Sequence, residues 1–146
     1  MYDILSNHRV MVVQDHASEA AGSAAANTSS IDLFTYGLAN RALMIINVTS
    51  VGTGGTLDLI VQDSDDDSIF DADFLTIPQI TDTGLYLVVI DDPARYMRVN
   101  HDAGTDAVAW SAYLVTFEEQ RRPVAQQGAV LTGTYGTGRK PKVATA

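Results

Sequence analysis

The stretch "TLDLIVQDSDDDSIFDADFLTIPQI", residues 56–80, decides the fold, because it reads either as a calcium loop between helices or as a turn between strands. Asp63, Asp65 and Asp67 stand at alternate positions, as ligands do in a helix–loop–helix calcium site. Such a loop needs Gly at its sixth position and a bidentate Glu at its twelfth. Counted from Asp63, those positions hold Ser68 and Phe74. The flanks are short, branched and partly alternating, as strands are. Asp and Ser side chains bond their own backbone and stabilise tight turns, so "DSDDDS" reads as the water-facing tip of a hairpin. The metal alternative rests on Asp63, Asp65 and Asp67 alone.

Working outward, similar apolar runs recur at short intervals: 31–37, 42–50, 74–80, 85–91, 95–102 and 107–118. Turn signals separate them, among them "GLANR", "VGTGG", "TDTG", "DDPA" and "DAGTD". About seven strands in so short a span predict an all-β fold, an antiparallel β-sandwich or jelly-roll. The run "AVAWSAYLVTFE" (107–118) alternates most cleanly, yet both of its faces are apolar. Residues 85–90 repeat that two-sided pattern. Strands apolar on both faces need cover on both, which predicts a homo-oligomer.

Residues 1–30 read as an N-terminal arm and small-residue linker, 31–119 as the sandwich domain and 120–146 as an extended basic C-terminal arm. In "ASEAAGSAAANTSS" (17–30) a helix would have nothing to bury. The C-terminal arm has scattered glycines and prolines and no periodic apolar face. Its candidate contacts with a neighbour are Arg121, Arg122, Val130, Leu131, Tyr135, Arg139, Lys140 and Lys142, held by strand addition and charge.

Composition narrows the function. The chain has 146 residues, enough for one domain with a real core, and its 46% hydrophobic content excludes a wholly disordered chain. With no cysteine, disulfides, thiolate metal sites and thiol nucleophiles are excluded. The N-terminus does not read as a secretory signal, and no apolar run approaches membrane-span length. All 18 acids lie between Asp3 and Glu119 beside four arginines, a net charge of −14 there, while five cations and no acid follow. Such a body is a poor partner for nucleic acid and attracts its own tail.

Catalysis finds little support. His8, His16 and His101 are the only histidines, and no nucleophile elbow or zinc-protease motif occurs. "GTYGTGRK" (133–140) lacks the Lys-Ser/Thr and the helix of a phosphate loop. Trp110, Tyr86, Tyr96 and Tyr113 could form a sugar-stacking platform, but each lies inside a strand, where core or subunit packing accounts for it. The chain is read as a non-enzyme with no cofactor.

The opening "MYDILSNHRVMVVQ", the small-residue linker, the stretch "SIDLFTYGLANRALMIINVTSVGTGGTLDLIVQDSDDDSIFDADF" and the closing "RYMRVNHDAGTDAVAWSAYLVTFEEQRRP" together resemble the head decoration, or cement, proteins of tailed bacteriophages. The resemblance covers roughly residues 1–122, and its most telling piece is "GTLDLIVQDSDDDSIFDADF". It implies a β-sandwich, commonly a homotrimer, made in the host cytoplasm. Its place would be the exterior of the virion, where it binds the major capsid protein and clamps neighbouring subunits. No nucleic acid or membrane is expected as a partner. The alternatives are a carbohydrate- or receptor-binding module, with Asp63, Asp65 and Asp67 on calcium, and a head–tail connector or tail component.

Overall fold

The computed structural model describes residues 8–33, 41–117 and 129–136. They form an antiparallel β-sandwich with no α-helix among the described residues. Sheet I takes β1 (His8–Glu19), β9 (Val108–Phe117), β4 (Arg41–Val51), β7 (Gly84–Asp91) and β10 (Ala129–Leu131), in that order. Sheet II takes β11 (Thr134–Tyr135), β6 (Asp71–Thr76), β5 (Thr56–Ser64), β8 (Tyr96–Gly104) and β2 (Ala26–Asn27), with β3 (Ile31–Asp32) also on β8. From β3 to β9 the chain changes sheet at each step except the β5–β6 hairpin. Connections of this kind let each strand's apolar face meet the opposite sheet.

The core follows from the period-2 alternation. Ala42, Met44, Ile46 and Val48 of β4 point inward, as do Val88 and Ile90 of β7 and Val108, Trp110, Ala112 and Leu114 of β9. They meet Leu57, Leu59 and Val61 of β5, Phe74 and Leu75 of β6, and Met97, Val99 and Ala103 of β8.

Two segments depart from the domain limits read from the sequence. His8–Glu19, placed in an N-terminal arm, is the edge strand of sheet I, in register with β9 from His8↔Phe117 to Glu19↔Val108. Met11 and Val13 are buried, and that anchors it. The polar and small residues after Val13 concealed the strand, because β1 runs on through register shifts near Gln14 that a strict alternation does not show. Residues 129–136, placed in an extended arm, lie along both open edges on one side of the sandwich. β10 pairs in parallel with β7, and β11 pairs antiparallel with β6.

Candidate interaction face

The outward faces of the two sheets differ in chemistry. On sheet I the register aligns Val10, Val115, Leu43 and Val89 in one row across β1, β9, β4 and β7. Val12, Tyr113, Ile45 and Leu87 form the next row, and Leu85 follows. Four strands at about 4.8 Å spacing make this a strip roughly 19 Å wide with no charged side chain in either row. Val10 is 70% exposed, Val12 52%, Leu85 40% and Tyr113 37%. At one end the rows meet the ion pair in which Arg41 Nε donates to Asp91 Oδ1 at 2.6 Å. At the other they meet Asn47 and Ser111.

Sheet II turns polar groups to water. Its outward positions hold Asp58, Ile60, Gln62, Arg98, Asn100 and Asp102, set opposite one another by the β5–β8 register. Many of them bond to one another or to nearby residues. Gln79 Nε2 donates to Asp58 at 3.0 Å, Arg98 Nε to Gln62 Oε1 at 2.8 Å, and Asn100 Nδ2 to Asn27 Oδ1 at 2.9 Å. Arg98 also lies over the Phe70 ring, 4.0 Å from its centroid. A face so paired costs little to leave wet, whereas the apolar rows of sheet I gain by being covered.

The acidic hairpin joins β5 to β6, and its aspartates do separate jobs. Asp66 Oδ1 accepts from the backbone N–H of Ser68 and of Ile69, each at 2.9 Å, and from Ser64 Oγ at 2.9 Å. The bonds from Ile69 and Ser68, in that order, hold its carboxyl below the ordinary carboxylate value. Asp67 takes the left-handed conformation at φ 60°, which Asp tolerates in turns. Asp63 is buried, and its Oδ2 accepts from Ala94 N–H at 2.8 Å, tying β5 to the turn between β7 and β8. Asp65 and Asp67 stay exposed. The fold does not gather Asp63, Asp65 and Asp67, and no group of three His, Asp or Glu suited to a metal ion occurs among the described residues.

The aromatic residues considered for a sugar platform are dispersed. Trp110 is in the core, Tyr113 is on the outside of sheet I, and Tyr96 is on β8 beside Arg95. Tyr86 donates its hydroxyl to Asp82 O at 2.8 Å. His101 is also committed to structure. Its Nδ1 lies 2.8 Å from Glu19 Oε2, which accepts from Trp110 Nε1 at 3.1 Å, so one carboxylate joins β1, β8 and β9 across the two sheets.

Among the expected arm contacts, Val130 pairs with Leu87 through its backbone. Leu131 and Tyr135 pack on the chain's own core. Arg121, Arg122, Arg139, Lys140 and Lys142 lie outside the described residues. Sequence reading missed the contributions of Val10, Val12, Leu43 and Ile45 to the apolar rows. Their signal was the two-sided apolar pattern found in 85–90 and 107–118, which becomes a surface only once the register sets β1 and β4 beside those strands.

No protein-family model matches the chain, and no curated protein matches it at a significant level.

Proposed function

We infer that this is a structural assembly protein of the tailed-phage head decoration type, a non-enzyme that coats the exterior of a capsid. The contrast between the two outer faces carries the reading. Sheet I offers uncharged apolar rows to a protein surface, that of the major capsid protein or of further copies in a trimer. Sheet II and the acidic hairpin remain in water, where a net charge of −9 keeps a crowded coat soluble. The alternation of strands between the sheets supports a jelly-roll description. A protein of this kind works by covering area, and binding the assembled shell stabilises it by mass action.

The test is to count copies in purified native particles by quantitative mass spectrometry against the major shell protein. Hundreds of copies in a simple ratio to the shell are expected. A handful would point to a connector or tail part, and none would overturn the virion reading and favour a glycan- or receptor-binding module.

A further inference from the structure

Each sheet of the sandwich has two edges, and three of the four are finished alike. Sheet I ends on one side in β10, of three residues. Sheet II ends in β11 and in β2, of two residues each, with β3, also of two residues, on the same strand β8. Strands so short offer too few N–H and C=O groups to template another chain. The fourth edge is β1, 12 residues long, and among the described residues nothing pairs with its outer side.

The first part of β1 has none of the features that blunt an exposed edge. It keeps a regular register with β9 from His8 to Val12, the first shift coming between Val12 and Gln14. His8–Gln14 holds no proline, so each residue keeps an N–H to donate, and Arg9 is its only formally charged residue. Val10 and Val12 are the outermost members of the two apolar rows and are 70% and 52% exposed, whereas Leu43, Ile45 and Val115 further in are half-buried. The inner residues have a strand on either side, and the two valines have one on a single side.

A second β1 is the strand that fits this edge. Two antiparallel copies related by a two-fold axis at Met11 set Val10 of each against Val12 of the other and Met11 against Met11, all within the regular stretch. The row Val10, Val115, Leu43, Val89 then runs on into the row Val12, Tyr113, Ile45, Leu87 of the other copy. Any other strand would have to bring uncharged apolar residues at both valine positions, and a second copy brings them by symmetry. Area favours the pair as well. The two rows stand roughly 7 Å apart, so with side-chain width the strip on one copy covers about 270 Å². That is about a third of the ~800 Å² that a stable interface covers on each partner. Pairing at β1 doubles the strip to about 540 Å², within the ~300–600 Å² typical of functional apolar patches.

We propose that residues 8–14 form a pairing edge for β1 of a second copy of this chain, the two joined antiparallel about a two-fold axis so that sheet I runs unbroken from one copy into the other. The proposal concerns the edge of sheet I rather than its face, and it does not rest on the virion reading. Ile45 sits on β4, two strands in from this edge, so the pair is tested at Val10 and Val12. Sedimentation velocity compares the full-length wild type with two double variants, thermal melts verifying that each is folded. Val10→Lys with Val12→Lys sets like charges opposite each other at both valine pairs, and Val10→Lys with Val12→Glu sets opposite charges there. Both variants place two charges on the apolar rows, so a loss common to both would come from the face. The like-charged variant is expected to dissociate at least about 30-fold more readily than the wild type. The oppositely charged variant is expected to stay within about fivefold of the wild type. In the wild type, hydrogen exchange at the Val10–Val12 amides that face the open edge is expected to slow as protein concentration rises. A wild type that stays monomeric, two variants that dissociate equally, a like-charged variant that pairs as tightly as the wild type, or exchange along Val10–Val12 that ignores concentration would each overturn the proposal.

Discussion

At the scale of single residues, the aspartates that look most like a ligand set hold the backbone. Asp63 is buried with an oxygen on Ala94 N–H, and Asp66 closes the hairpin tip with the N–H groups of Ser68 and Ile69. Removing a buried acceptor leaves its donor without that partner, at a cost of about 1–3 kcal/mol. Asp63→Ala is therefore expected to lower the melting temperature by several degrees in a calorimetric or dichroism melt, and Asp63→Asn, which keeps an acceptor oxygen, by less. The turn itself was legible, because Ser68 and Phe74 stand where a calcium loop needs Gly and Glu. The partner of Asp63 was not, since Ala94 lies 31 residues on and only the fold brings it near. The same holds for Glu19, which meets His101 and Trp110 across separations of 82 and 91 residues.

At the scale of elements, strands were legible where alternation runs unbroken and obscure where a bulge or a short pairing carries them. β4, β5, β7, β8 and β9 each show a regular apolar period and fall within or across runs picked out from the sequence. β1 continues past register shifts into "DHASE", and its pairing with β9 is set by an edge rather than by composition. β10 and β11 span only three and two residues, too short for any periodicity to mark. What holds them is shape, above all at Gly133. Gly133→Val would force a branched side chain onto Leu75, and overpacking of this sort costs about 1–3 kcal/mol. Residues 129–136 should leave the β6 and β7 edges while the sandwich persists. Hydrogen exchange is expected to accelerate at the backbone amides of the β7 edge, with the β4–β9 amides unchanged; protection retained along β7 would mean that Gly133 is not what holds β10 there.

At the scale of the whole molecule, the two outward faces of the sandwich differ in chemistry. Sheet II is knitted by polar pairs that suit water, and sheet I carries apolar rows across four strands. The two-sided apolar character of residues 85–90 and 107–118 predicted from sequence that something covers the second face. Which face, and how far it extends, needed the register of β1 and β4. Ile45 and Ile60 make a matched pair for testing the distinction, since each is a half-buried isoleucine on an outward position, one on sheet I and the other on sheet II. A charge placed within a covered apolar patch typically acts as a hot-spot change of about 2 kcal/mol or more, roughly 30-fold in affinity. The decisive measurement is sedimentation velocity on the wild-type chain, Ile45→Asp and Ile60→Asp over a range of concentrations, with melts to verify folding. The account predicts that the wild type and Ile60→Asp associate alike and that Ile45→Asp dissociates at least about 30-fold more readily while staying folded. A wild type that stays monomeric throughout would leave the capsid protein rather than a second copy as the partner of sheet I, and an Ile45→Asp protein that associates as tightly as Ile60→Asp would contradict the role of the apolar rows.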